Sequence, residues 1–372
     1  MWLKMFASLC GLLVLQACSG GTSPAGTQSP PPPVAKQFVN WSTVQVIAVD
    51  SSTRTATQTA DAVFYSDTYN GLSLVDDSNL EQVGAPRRLV ASEISDGVHG
   101  SFDEMLSVAL DGNIAAVAVI PGCVGFCAGE TRELRLYDIS DRTKATYLAT
   151  LADALGPEVL LAEGNYLYVT GTYGMSHDQF AVVDISDPKA PKKVGAVDIH
   201  GAGRLAKVGN LVYLSLVSDT FGWDWQNIRV IDVSNPSAPA LIGPADPGVS
   251  ANITFSPIVV KENIAYVSDE GLRVVDLSDP LAPSLVTTVT LPDSIYAMTS
   301  HGNNLYVACG TGGLRIFDIT DPKSPVLVKT IGTATSIRNV SVTNGKGIYI
   351  TDGVVNTPIG AEMKIFYVDQ PK

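Results

Sequence analysis

The chain has 372 residues, 45% of them apolar and 16% charged, which is enough to bury a core and too long for one ordinary small domain. Its 24 Lys and Arg face 37 Asp and Glu, a formal charge of −13 that excludes the basic footprint of a nucleic-acid binder and adhesion to anionic lipid by charge alone. Four His and five Cys leave few ligands for a multi-metal enzyme.

At the N-terminus, Lys4 supplies a positive region and Met5 to Leu15 an apolar run. The run is too short to span a bilayer, which takes about 20 residues. It ends in Leu15-Gln16-Ala17-Cys18, which resembles a bacterial lipoprotein signal. The resemblance implies that residues 1–17 are removed and that Cys18 is lipidated as the new N-terminus. With Ser19 rather than Asp next, it also implies an outer-membrane lipoprotein, on the periplasmic or surface-exposed side. Residues 18–35 carry no charge and end in Pro30 to Pro33 before Val34 and Ala35, so they read as a flexible tether stiffening into polyproline II.

Residues 36–372 are governed by one repeat. Gly71-Leu-Ser-Leu-Val-Asp76, Leu134-Arg-Leu-Tyr-Asp138, Phe180-Ala-Val-Val-Asp184, Ile228-Arg-Val-Ile-Asp232, Leu272-Arg-Val-Val-Asp276 and Leu314-Arg-Ile-Phe-Asp318 share a pattern, with a looser copy from Met363 to Asp369. Upstream of several copies lies a second apolar strand entered from Gly-Asn or Glu-Asn, as at Asn210 and Asn263. Downstream comes D-x-[ST]-[DN]-P, as in Asp184 to Pro188 and Asp318 to Pro322, and then a short fourth strand. Four alternating strands repeated at 42 to 62 residues, with no helical period between them, predict an all-β chain folded as a single β-propeller of seven four-stranded blades. Val44 to Val49 is expected as the inner strand of blade 1, and Lys36 to Trp41 as the strand that closes the ring on blade 7.

These repeats, Leu272-Arg-Val-Val-Asp276-Leu-Ser-Asp-Pro280 above all, resemble the LVIVD-repeat family of bacterial and archaeal surface proteins. The resemblance covers about Thr43 to Asp369 and implies a propeller outside the cytoplasm. It brings no catalytic residues to transfer. Blades 1 and 7 depart most from the pattern.

The D-x-[ST]-[DN]-P segment lacks the Gly and bidentate Glu of an EF-type calcium loop and reads as a capped turn. Cys123 and Cys127, in a Gly-rich loop of an exported chain, are expected as a local disulfide. Cys309 is left as a free thiol. The turns joining second and third strands should share one face with the blade-to-blade crossovers. The insertions fall in those turns: Pro121 to Arg132, Gly171 to Gln179, Ser218 to Asn227 and Gly353 to Glu362. They carry Phe126, Tyr173, Phe221, Trp223 and Trp225, an aromatic lip suited to recognition. His99, His177 and His200 fall on that face and form the alternative, a metal site. Other crossovers there offer Glu158, Arg204, Tyr296 and Arg338, which do not make a carboxylate ring. No nucleophile elbow, H-E-x-x-H or Walker loop occurs.

The chain therefore reads as a non-catalytic, lipid-anchored envelope propeller. Its lip would bind an envelope or extracellular protein or polysaccharide, with no cofactor and no nucleic acid. The alternative is an exported enzyme of hydrolase type with its site in the central funnel.

Overall fold

Alternating apolar runs punctuated by Gly-Asn and Asp-Pro turns favour short antiparallel strands over helices. The computed structural model describes residues 43–49, 53–58, 62–67, 71–76, 87–90, 104–121, 132–151, 156–173, 177–199, 203–216, 228–245, 257–268, 271–332, 336–343, 347–352 and 361–366. All regular structure among them is β-strand.

The first strand is β1 (Thr43–Val49). Blade 1 follows with β2 (Thr53–Gln58), β3 (Ala62–Asp67), β4 (Gly71–Asp76) and β5 (Arg87–Val90). Blade 2 is β6 (Glu104–Asp111), β7 (Ile114–Ile120), β8 (Glu133–Asp138) and β9 (Thr146–Leu151). Blade 3 is β10 (Pro157–Glu163), β11 (Tyr166–Tyr173), β12 (His177–Asp184) and β13 (Lys192–Asp198). Blade 4 is β14 (Gly203–Val208), β15 (Leu211–Leu216), β16 (Ile228–Asp232) and β17 (Ala240–Ala245). Blade 5 is β18 (Ile258–Lys261), β19 (Ile264–Ser268), β20 (Leu272–Asp276) and β21 (Ser284–Val289). Blade 6 is β22 (Ala297–His301), β23 (Asn304–Ala308), β24 (Leu314–Asp318) and β25 (Val326–Ile331). Blade 7 is β26 (Ile337–Thr343), β27 (Gly347–Asp352) and β28 (Ala361–Phe366), completed by β1.

There are seven four-stranded sheets, as the repeat count predicts. The first strands touch in order, β2 to β6 to β10 to β14 to β18 to β22 to β26 and back to β2, so they wall a closed ring.

Closure departs from expectation by one strand. Val44 to Val49 is not the inner strand of blade 1. As part of β1 it pairs antiparallel with β28, Val46 opposite Lys364 and Ile47 opposite Met363, and forms the outer strand of blade 7. The inner strand is Thr53-Arg-Thr-Ala-Thr-Gln58, paired with β3. Its polarity hid it. First strands face the channel on one side, as the half-buried residues of β14 and β22 show, and tolerate polar side chains. Lys36 to Trp41 lie outside the described residues.

Apolar side chains pack between blades rather than around one centre. Phe64, Leu72 and Leu74 of blade 1 meet Val117, Tyr137 and Ile139 of blade 2. Leu134 and Leu136 then meet Leu167, Val169 and Val183 of blade 3. The same two-sided layers join blades 3 to 4, 4 to 5, 5 to 6 and 6 to 7. Blades 2 to 6 thus bury both faces against their neighbours.

Candidate functional site

Antiparallel order gives the ring two ends. One end carries the hairpins between first and second strands and the D-x-[ST]-[DN]-P turns. The other carries the connections between second and third strands and the crossovers.

The motif end is built of caps. Asp138, Asp184, Asp232, Asp276 and Asp318 each accept the backbone N–H two residues on, all at 2.8 Å. Asp187, Asn235, Asp279 and Asp321 repeat this at 3.0–3.2 Å in the next turn. The motif is therefore a turn that caps its own backbone. Neighbouring blades are stitched here too. Lys261 Nζ donates to Gly302 O at 3.0 Å and Asn303 Oδ1 at 2.9 Å, Tyr266 OH donates to Pro322 O at 2.8 Å, and Lys323 Nζ reaches Asp276 Oδ2 at 2.6 Å.

These contacts hold several carboxyls below their ordinary pKa. The Lys323 ammonium and the Ser278 hydrogen bonds lower Asp276, and the Ser186 and Ser234 backbone N–H groups lower Asp184 and Asp232. A carboxyl with a depressed folded pKa adds stability above its unfolded value, 3.8 here, and that stability is lost as pH falls through the folded value. Denaturant unfolding is expected to show stability falling below about pH 4. Asp184→Asn should flatten that fall, and an unchanged pH slope in this variant would contradict the assignment.

At the opposite end, β7 ends at Ile120 and β8 begins at Glu133, β15 ends at Leu216 and β16 begins at Ile228, and β27 ends at Asp352 and β28 begins at Ala361. Blades 5 and 6 instead connect directly, from Ser268 to Leu272 and from Ala308 to Leu314. Blade 3 differs from expectation. Gly171 to Gln179 is not a loop insertion, because β11 and β12 stay paired out to Tyr173 opposite His177. The blade projects as a lengthened hairpin instead. Phe126, Phe221, Trp223, Trp225, Cys123, Cys127, His99 and His200 lie outside the described residues, as does Cys18. Among the described residues, no group of three His, Cys, Asp or Glu gathers as a metal set.

The structure adds contacts at this end: the sequence reading named Tyr296 and Arg338 but not Arg315 or Asp293. Arg315, second residue of β24, reaches from its Nη2 to Asp293 Oδ2 of the preceding crossover at 2.8 Å. Asp293 packs so closely on Gly312 that no Cβ fits there. Tyr296 is 40% exposed, and the Arg338 guanidinium lies 5.1 Å from its ring centre. Gly310 and Ile337 exchange backbone hydrogen bonds of 2.9 and 3.0 Å, tying the blade 6 turn to blade 7. Beneath that turn Cys309 is a fully buried free thiol, pushed by burial up to about 11. The detectable signal was Arg135, Arg229, Arg273 and Arg315 recurring in strands otherwise apolar.

Comparison with known proteins bears on the fold and the repeat. The chain is similar to BamB from Moraxella catarrhalis at 11% identity and TM-score 0.56, over 90% of this chain and 99% of that one. It is similar to the WD40 β-propeller domain of Doa1 at 12% identity and TM-score 0.61, over 90% and 99%. The WD40 repeats of RRP9 match at 11% identity and TM-score 0.62, over 89% and 99%. At these identities the likeness is one of fold. No curated protein matches the chain. The LVIVD repeat family matches residues 159–199, 222–246, 256–290 and 300–333, which fall on blades 3 to 6. Those repeats occupy four of the seven sheets of the closed ring, so the chain is a β-propeller that carries LVIVD repeats in blades 3 to 6.

Proposed function

We propose that this propeller is a lipid-anchored envelope protein that binds a protein partner through the lip formed by the long connections of blades 2 and 4 and the lengthened hairpin of blade 3. The observation that carries the reading is the asymmetry of one end of the ring. Blades 2 and 4 carry long connections and blade 3 a lengthened hairpin, while blades 5 and 6 join the same strands by short turns. Ring closure does not need the extra chain, and segments over a rigid scaffold are where recognition concentrates. Phe126, Tyr173, Phe221, Trp223 and Trp225 supply the aromatic contacts, and Cys18 carries the lipid that holds the chain at the membrane. A polysaccharide partner is the competing occupant of the same lip.

Affinity capture from membranes tests both parts. Trp223→Ala with Trp225→Ala is expected to weaken capture of the protein partner by about 2 kcal/mol, as for hot-spot aromatics, with the melting temperature unchanged. Unchanged capture alongside faster proteolysis of the connection would make the Trp residues loop supports and sink the lip. Cys18→Ser should leave the membrane fraction. Retention of an exported Cys18→Ser chain would remove the anchor.

A further inference from the structure

The repeats act as controls for one another, and the outer strand of blade 5 stands apart. Among the described strands, each outer strand pairs on one side only, so the backbone groups of its far side have no strand to bond. Such an edge recruits another strand unless charge or proline blunts it. β5 carries Arg87 and Arg88, β13 Lys192 and Lys193, β17 Pro244 and β25 Lys329. β1, β9 and β21 carry neither charge nor proline. The last four residues of β9 are half-buried, whereas β21 is exposed over five consecutive residues from Ser284 to Thr288. A register bulge against the third strand is common to blades 2 to 6 and does not set blade 5 apart.

Register comparison with blade 3 shows what the edge lacks. Lys189, Ser237, Leu281 and Lys323 each donate their backbone N–H to the second Asp or Asn of the turn, so they hold one position in blades 3 to 6. Lys192 stands opposite Asp184 and Lys193 opposite Val183, as Ser284 stands opposite Asp276 and Leu285 opposite Val275. Where blade 3 presents Lys189, Lys192 and Lys193, blade 5 presents Leu281, Ser284 and Leu285. Leu281 is 59% exposed, Leu285 42% and the adjoining Val286 38%. The fold does not demand apolar groups here, since the same turn and strand form in blade 3 with ammonium groups at all three positions.

We propose that β21 is a self-association edge, which pairs antiparallel with β21 of a second copy of this chain and joins two blade 5 sheets into one. The occupant follows from charge. In an isologous contact each strand meets its own sequence, so an edge rich in Lys or Arg sets like charges against each other, while Ser284-Leu-Val-Thr-Thr-Val289 is self-complementary. Its Thr and Val suit a pleated pair, and pairing draws exposed aliphatic surface of both copies from water. A six-residue edge is a small contact, so the association is weak and reversible in solution. It rests on the edge alone and not on the partner-binding reading above.

The test is analytical ultracentrifugation of the full exported chain carrying Cys18→Ser, so that lipid does not drive assembly, with amide hydrogen exchange measured at low and high protein concentration. The chain is expected to show a reversible monomer–dimer equilibrium with a dissociation constant of about 100 μM, and the amides of 284–289 to gain protection as the dimer fills. Leu281→Lys with Ser284→Lys and Leu285→Lys copies the blade 3 edge onto blade 5. It is expected to raise that constant at least about tenfold, with the melting temperature unchanged. The added Lys side chains bring the net charge of −13 closer to zero, which by itself favours association, so the loss reads the edge. Should the triple variant fail to fold, Leu285→Lys alone provides the same comparison. A chain that stays monomeric up to about 1 mM, dimers that the Lys variants leave intact, or dimers that protect another outer strand in place of β21 would overturn the proposal. Trp223→Ala with Trp225→Ala is expected to leave the dimer unchanged, and a dimer lost in that variant would place the contact on the lip instead.

Discussion

Removing residues 361–372 is expected to abolish soluble, folded protein. The cut takes away β28, the only described strand that bonds to both β27 and β1. Blade 7 is then a two-stranded hairpin of β26 and β27, an arrangement of marginal stability in water. The loss does not stay local. Blade 1 meets blade 7 through β2 and β26, so a blade 7 reduced to two strands weakens the wall that closes on blade 1. Freed strand edges on β27 and β1 become templates for association. Size-exclusion chromatography, circular dichroism and limited proteolysis of the fragment 1–360 measure the effect. A monomeric fragment with native-like protease resistance would show that the ring stands without its closing strand.

Gly195→Val is expected to be the most damaging single substitution at a position that carries no chemistry. Gly195 lies on β13, the outer strand of blade 3, at the bulge where Val182 and Val183 shift register. A Cβ there would run into the Pro236 carbonyl oxygen and stand 2.5 Å from Pro239 Cδ, in the capped turn of blade 4. Those obstacles are backbone and a proline ring, which cannot swing aside. The expected cost is about 3 kcal/mol or more, at the upper end of overpacking effects. Gly332→Ala serves as the control, since nothing lies within 4 Å of its added Cβ. Denaturant midpoints decide the matter. Equal midpoints for the two variants would mean that the turn of blade 4 can back away from blade 3 at no cost.

Much of this architecture was legible because the repeat writes the same physical solution many times. In blades 2 to 6 the Asp of the third strand caps the next turn, so its spacing marks the end of a strand whatever lies around it. Two features were not legible, for different reasons. Thr53 to Gln58 carries no apolar alternation, because an inner strand has one side on the channel and is not required to be apolar. The apolar run of β1 fitted an inner and an outer strand equally well, and only its pairing with β28 separates them. The ion pair of blade 6 was hidden more deeply, because Arg315 and Asp293 meet only when the crossover is seen to lie over the third strand. Phe126, Phe221, Trp223 and Trp225 lie outside the described residues, and Tyr173 sits on a strand that extends farther than the Gly-rich composition around it suggested.

The pairing of β1 with β28 also sets a kinetic order on folding. Within a blade, strands bond to partners a few residues away through tight hairpins, as at His301 opposite Asn304, so each sheet can zip rapidly from local contacts. Val46 and Lys364 are more than 300 residues apart and meet only after the last segment of chain has arrived. Pairing of β1 with β28 is therefore expected as a late step, after the local hairpins of the blades have formed. Folding rates should be limited by that final encounter, and a circular permutant opened between two blades, which makes β1 and β28 contiguous, should fold faster without gaining equilibrium stability.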